Sequence, residues 1–303
     1  MARPSSGSPD STPQRAETSL GPIEFVDHGS GPPVLFIHGS PGGFDQGALM
    51  TGFLTDTHRV VAVSRPGYLN TPISEANRSP QSQATQCAEL MTALGIEEFA
   101  VMCWSGGGPT AYALAAAHPR RVNAVVAIAA VSTEFDPAGS LRGRVALGEE
   151  KMLFNRVGRW FATTLADKAP GAAISTLLSG EGDLTRAQAK ELAAGIMDDE
   201  QQRTFATALF DTVSGSRKPG FENDFDQFAT LRSPLGEVVA PVLLVHAKTD
   251  ADVPYDQTLH ASGSLPDARL LVIEVGTHLS AWLGPDAAEI QAAITRHLAP
   301  AAR

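Results

Sequence analysis

The sequence predicts an α/β fold: a mostly parallel sheet with helices on both faces, interrupted by a helical insertion. Three observations carry this. Short, β-branched apolar runs recur along the chain, longer Ala-, Leu- and Gln-rich segments separate them, and the rhythm stops between about 133 and 238 before resuming. Strands covered on both faces read as near-continuous apolar runs. Strand–helix–strand alternation places the crossover helices on the two faces of a parallel sheet.

Residues 1–19 are rich in Ser, Pro and Thr and contain no apolar run, so they read as a disordered tail and not as a secretory signal. The first part of the core is expected over 20–132. It opens with IEFV (23–26) and PVLFIHG (33–39), which are joined around DHGSG and read as a hairpin on the sheet edge. RVVAVS (59–64), EFAVMC (98–103) and AVVAIAA (124–130) are the next strands, with helices expected at 79–94 and 106–118. Segment 133–238 lacks a strong strand signal and is too long for a plain loop, so it reads as a helical cap over the C-terminal edge of the sheet. Within it, LTRAQAKELAAGIMDDE has a helix start at Thr185 or Asp183. The second part of the core, 239–303, supplies PVLLVHA (241–247) and RLLVIEV (269–275), with helices at 255–264 and 285–298.

A chain of 303 residues is long enough for one large α/β domain with an insertion or for two small domains, and 43% hydrophobic and 18% charged residues exclude a mostly disordered protein. A net charge of -10 repels phosphate backbones and anionic surfaces, so neither nucleic acid nor membrane is an expected partner. No stretch approaches the ~18 apolar residues of a membrane span. A small-molecule substrate and a cytoplasmic location are expected. Cys87 and Cys103 form neither a disulfide framework nor a metal-ligand spacing, and read as reduced, buried residues. No cofactor or metal is expected.

The most informative peptide is EFAVMCWSGGGPTAYALAAAHP. Ser105 stands between a strand and a helix, the setting of a strained turn that exposes a serine hydroxyl above the sheet. Small residues must flank such a turn. Gly107 supplies one, and Cys103 replaces the glycine usual two residues before the serine. A glycine-rich turn with an incidental serine would read the same way in isolation. HGSPGG (38–43) also follows a strand. An acyl-transfer site needs two N–H donors for the developing oxyanion. Gly106 is one candidate and Ser40 the other, because Pro41 has no N–H.

Of eight histidines, His278 stands apart. It follows the last strand in EVGTHLSAW, at the same sheet edge as Ser105, where a base can reach the hydroxyl. The other histidines, His246 included, read as structural or solvated. Asp250, after the penultimate strand in HAKTDADVP, is the expected acid, and Asp252 reads as a turn residue. Glu134 and Asp136 in VSTEFDP also follow a strand and remain alternative acids. The chain order Ser105, Asp250, His278 separates this arrangement from other serine triads.

With these residues the chain resembles the α/β-hydrolase superfamily over about residues 20–299, through HGSPGG, SRPGY (64–68), CWSGGG (103–108), HAKTDADVP and GTH (276–278). The resemblance implies an eight-stranded core, a helical cap and cofactor-free hydrolysis through an acyl-enzyme, with oxyanion N–H groups at Ser40 and Gly106. Serine at 105 argues against the superfamily's dehalogenases and epoxide hydrolases, which use Asp there. A carboxylic ester is the expected substrate, with a lactone or thioester using the same parts. A carbon–carbon bond hydrolase, an aminopeptidase and a receptor with little turnover are the alternatives. Asp198, Asp199 and Glu200 are the acidic run an aminopeptidase would need, and a solvated helix end is the simpler reading. Trp104, Trp160 and Phe161 are candidate substrate contacts, and Met152, Phe154, Phe205 and Phe210 further apolar ones. Arg142, Arg144, Arg156 and Arg159 would suit a carboxylate but fit an exposed helix face better.

Overall fold

The computed structural model describes residues 12–136, 169–213 and 215–300. Eight strands form one sheet in the order β1-β2-β4-β3-β5-β6-β7-β8. They are β1 (Gln14–Thr18), β2 (Gly21–Gly29), β3 (Pro33–Ile37), β4 (Arg59–Val63), β5 (Phe99–Trp104), β6 (Val122–Ile128), β7 (Val242–Ala247) and β8 (Ala268–Ile273). The pairs β1–β2 and β2–β4 are antiparallel, and every pair from β4 to β8 is parallel. The loops after β3, β4, β5, β7 and β8 therefore leave the sheet at one edge.

Two expectations need correction. The tail of 1–19 was expected to carry no structure, yet Gln14–Thr18 pairs with Gly21–Phe25. This edge strand is mostly exposed and polar. Its stability comes from the backbone ladder and from Ala16 against the core, neither of which composition reveals. The hairpin expected between 23–26 and 33–39 does not form, because β4 lies between β2 and β3. Gly29 (φ 75°) and Gly31 (φ 120°) carry the chain around the Thr55–His58 turn instead. A Cβ on Gly29 would stand 2.3 Å from the His58 carbonyl oxygen. The edge hairpin is β1–β2.

Alternate residues of each strand face opposite layers. Leu35, Ile37, Val61, Val101 and Cys103 pack with α2 (Pro80–Ala93) and α3 (Gly108–Ala117). Val34, Phe36, Val60, Met102 and Trp104 pack with Met50 of α1 (Phe44–Met50) and, at the C-terminus, Ile290 and Ile294.

The insertion is helical where it is described: α4 (Pro170–Glu181), α5 (Arg186–Asp198), α6 (Glu200–Leu209) and α7 (Lys218–Phe228). Two further helices belong to the second part of the core, α8 (Asp256–Ser264) and α9 (Ala287–Leu298). Ile174, Leu178 and Ile196 extend the second core layer outward, and Phe205 stacks on Trp282 at 6.1 Å. Helix α5 starts at Thr185, whose hydroxyl accepts the Gln188 N–H while the Gln188 side chain accepts the Thr185 N–H at 2.9 Å. This reciprocal cap satisfies two N–H groups that the helix leaves open. Asp199 caps α6 by accepting the Gln201 and Gln202 N–H groups on its carboxylate, and it is exposed, as are Asp198 and Glu200. Among the described residues, no helix is long and apolar enough to cross a membrane.

Thr185→Ala should therefore cost about 1 kcal/mol of stability, read as a lower midpoint in urea denaturation. An unchanged midpoint would mean that α5 does not depend on this cap.

Candidate active site

Strand β5 ends at Trp104 in extended conformation, and Ser105 turns to φ 52° before a short 3₁₀ turn leads into α3. A side-chain-bearing residue in the left-handed region costs on the order of 1–3 kcal/mol and persists only where its surroundings impose it. The surroundings here leave no room. A Cβ on Gly107 would lie 2.4 Å from the Ile37 carbonyl oxygen, so α3 starts in contact with the end of β3. A Cβ on Gly106 would lie 2.2 Å from Ser40 Oγ, which places the loop after β3 against the turn. Cys103 pairs with Ile37 on one side and Ala127 on the other. Its side chain enters the core layer of α2 and α3, where a small thiol fits, and burial pushes that thiol up to about 12.

Asp250 follows β7 and His278 follows β8. His278 Nδ1–H donates to Asp250 Oδ2 at 2.7 Å, which leaves Nε2 as the basic nitrogen of the neutral ring. The same Oδ2 accepts His246 Nε2–H at 3.0 Å, and Oδ1 accepts the N–H groups of Asp252 and Val253 at 2.9 and 3.0 Å. Burial opposes ionisation of Asp250, but the charge of His278 and the hydrogen bonds from His246 and His278 bring it to about 2. Burial would lower His278, but the charges of Asp250 and Asp252 outweigh it and push the imidazole up to about 10. The alternative acids Glu134 and Asp136 are exposed, and the carboxylate on His278 Nδ1 is that of Asp250.

Two backbone bonds fix the His278 loop. Its N–H donates to the Glu181 carbonyl at 2.9 Å, and its carbonyl accepts the Trp104 indole N–H at 3.2 Å. Trp104 is 7% exposed, with its ring 4.9 Å from that of His278. It supports the imidazole from the sheet side. His278 Nε2 has no hydrogen-bond partner among the described residues, and Asp252 Oδ2 stands 3.3 Å from it. Trp160, Phe161, Met152, Phe154 and the four arginines of 142–159 lie outside the described residues.

Five residues at or beside the site escaped the sequence reading. Glu181 ends α4 beside His278, where burial and the charge of Asp252 raise its carboxyl to about 8. Asp252 faces the imidazole and is not simply a turn residue. His246 holds Asp250, with Thr258 Oγ1 2.7 Å from its own Nδ1. Its position four residues before Asp250 at a strand end was the available signal. Arg65 lies in SRPGY and is buried in a bidentate ion pair with Asp224 of α7, both bonds 2.7 Å. Nothing in KPGFENDFDQF marks Asp224 out from its two acidic neighbours.

A family profile described as the alpha/beta hydrolase fold matches residues 32–285. The structure of the alpha/beta hydrolase fold protein from Nakamurella multipartita superposes with a TM-score of 0.87 at 36% identity, over 95% of this chain and 99% of that one. A Bacillus subtilis protein named as the uncharacterized hydrolase YcgS is 27% identical over 274 residues, 89% of this chain and 92% of its own. The 2-hydroxymuconate semialdehyde hydrolase of Pseudomonas putida is 27% identical over 252 residues, 81% of this chain and 80% of its own.

His278 should titrate well above its ordinary 6.5, toward about 10. Its ion pair with Asp250 then contributes stability that is fully present below pH ~6.5 and is lost as pH rises through the folded-state value. Side-chain NMR of His278 checks this, and Asp250→Asn should move the midpoint down. A wild-type midpoint at or below 6.5 would show that the carboxylates do not hold the imidazolium.

Proposed function

Because the chain belongs to the alpha/beta hydrolase family, we propose that it is a serine hydrolase that cleaves a small-molecule carboxylic ester through an acyl-enzyme on Ser105. One observation carries this reading. The strained turn presents Ser105 at the sheet edge where a buried Asp250–His278 pair, 2.7 Å apart, also sits.

In this cycle neutral His278 takes the Ser105 proton on Nε2 as the hydroxyl attacks the carbonyl carbon. The N–H groups of Ser40 and Gly106 receive the oxyanion. His278 then returns the proton to the leaving alkoxide, activates a water, and frees the acid. Asp250 keeps Nδ1 protonated and stabilises the imidazolium formed at each transfer. The raised imidazole implies that turnover climbs with pH above neutrality, since the base must first lose its proton. A lactone or thioester would pass through the same intermediates. The likeness to the Pseudomonas putida enzyme favours a second reading, a carbon–carbon bond hydrolase whose substrate resembles 2-hydroxymuconate semialdehyde and is not an ester. The amine site of an aminopeptidase finds no support at Asp198, Asp199 and Glu200, which are exposed at a helix junction.

A p-nitrophenyl ester series, run beside 2-hydroxymuconate semialdehyde, ranks the substrate classes, and sustained turnover separates an enzyme from a receptor that gives one stoichiometric burst. A fluorophosphonate probe should label Ser105, and Ser105→Ala should lose labelling and turnover; undiminished activity in that variant would remove Ser105 as nucleophile. Asp250→Asn should lose on the order of 10²–10⁴ in kcat, whereas Asp136→Asn and Glu134→Gln should stay within about threefold of wild type. Collapse of either of the latter with normal Asp250→Asn would move the acid.

A further inference from the structure

We propose that Asp224, carried by the inserted helix α7, is a positioning residue for the oxyanion loop and sets the direction of the Ser40 N–H. The inference rests on the serine-hydrolase reading, in which that N–H stabilises the oxyanion.

Ser40 is fixed at two points. Its hydroxyl donates to Asp224 Oδ2 and accepts Arg65 Nη2–H at 3.1 Å. The peptide before it is fixed as well. The Gly39 carbonyl accepts Arg65 Nη2–H at 3.0 Å and lies 2.7 Å from His38 Nδ1. The His38 ring has its Nε2 on the Arg65 N–H at 3.0 Å, so Nε2 is the acceptor and Nδ1 carries the proton. Burial and the neighbouring Arg65 hold His38 neutral, well below its ordinary value. A trans peptide is planar, with C=O and N–H on opposite sides. With the Gly39 carbonyl held toward Arg65, the Ser40 N–H is turned the other way.

Everything on the Arg65 side converges on Asp224. Its carboxylate takes both terminal nitrogens of Arg65, the Tyr68 hydroxyl and the Ser40 hydroxyl. Arg65 and Asp224 are only 2% and 3% exposed, so no water competes for these bonds. Burial and the Asp224 charge keep the Tyr68 phenol protonated and donating. Oδ2 alone receives three donors. An amide has a single accepting atom, and its NH₂ would face either the guanidinium or the two hydroxyls. Asparagine therefore cannot replace aspartate here, and removing the charge leaves Arg65 buried without its counter-ion.

Two variants test the assignment. Ser40→Ala keeps the Arg65–Asp224–Tyr68 cluster, the Ser40 N–H and the Arg65 bond to the Gly39 carbonyl, and removes the hydroxyl that ties Ser40 directly to Asp224. Asp224→Asn cuts the cluster itself. On a p-nitrophenyl ester, Ser40→Ala should lose about 10- to 100-fold in kcat, short of the roughly 10²–10³ that follows loss of a whole oxyanion donor, with KM within about twofold. Affinity for a boronic acid, which mimics the tetrahedral intermediate, should fall by a similar factor. Asp224→Asn should lose more in both readouts. If Asp224→Asn does not fold, Ser40→Ala decides alone, since it leaves the ion pair intact. Wild-type kcat and boronate affinity in Ser40→Ala, or a rise in KM alone, overturns the proposal. Ser105→Ala measured in parallel separates the two levels. An inactive Ser105→Ala beside a fully active Ser40→Ala removes only the positioning role, whereas an active Ser105→Ala removes the reading beneath it.

Discussion

Ser105 sits at a backbone angle that its own side chain disfavours, and the rest of the site follows from how that angle is enforced. The turn joins β5, which is hydrogen-bonded to β3 and β6 on its two sides, to α3, whose first residues touch the end of β3. Relaxing φ would swing either a central strand or a helix packed across it. The strain of about 1–3 kcal/mol is small against the burial of two apolar layers, so the sheet imposes the conformation without difficulty. The same parallel arrangement delivers the loops after β3, β4, β7 and β8 to that edge. Asp250 and His278 follow neighbouring strands, whose pairing runs from Val242↔Ala268 to Ala247↔Ile273. The Asp250–His278 pair is therefore held in register by six pairs of backbone partners before any side chain contributes.

The insertion works as part of this frame. Its α4 end brings the Glu181 carbonyl onto the His278 and Ala251 N–H groups, and Asp183 donates its N–H to the Thr249 carbonyl at 2.7 Å. Its α7 end brings Asp224 to Arg65, and Arg217 to the Gly42 carbonyl at 2.9 Å. Gly220 donates to the Gly67 carbonyl at 3.0 Å, and a Cβ on Gly67 would lie 2.4 Å from the Gly220 nitrogen. One end of the insertion thus grips the Asp250 and His278 loops, and the other grips the loops after β3 and β4. A displacement of these helices would be felt both at the Ser40 loop and at the Asp250–His278 pair; in the proposed mechanism, substitutions far from Ser105 in α4 or α7 would alter rate without touching a substrate.

How much of this was legible in the sequence depends on the range of the interaction. Strands in 59–63, 99–104 and 242–247 declared themselves because burial on both faces leaves a continuous apolar run. The start of α5 at Thr185 was legible because a cap is a local bond between residues three apart. The placement of Ser105, Asp250 and His278 at strand ends was legible because each follows an apolar run that reads as a strand. The strand at Gln14–Thr18 was hidden because an edge strand needs no apolar residue on its outer face. The β2–β4 pairing was hidden because neighbours in sequence are a poor guide when a later strand inserts between them. His246 looked like a strand-end histidine until Asp250 came within 3.0 Å. Asp224 was illegible in principle: its partners lie 156 to 184 residues away, and no local pattern encodes them.

The two buried carboxylates show how one residue type is put to different uses. Asp250 faces imidazoles, whose charge depends on a proton, so in the proposed mechanism the field it sets at His278 would be spent and restored as that proton moves. Asp224 faces a guanidinium, which keeps its charge at any ordinary pH, so the field it sets is permanent and suits a scaffold. Cys103 belongs to the scaffold too. It stands two residues from Ser105, and a thiolate there would be the stronger nucleophile, but its side chain points into the α2–α3 layer and burial holds the thiol near 12. At neutral pH it carries no thiolate to compete. The alternation of side chains along β5 therefore sends Cys103 inward as packing, and the left-handed turn that follows breaks the alternation at Ser105, the hydroxyl to which the proposed mechanism assigns the chemistry.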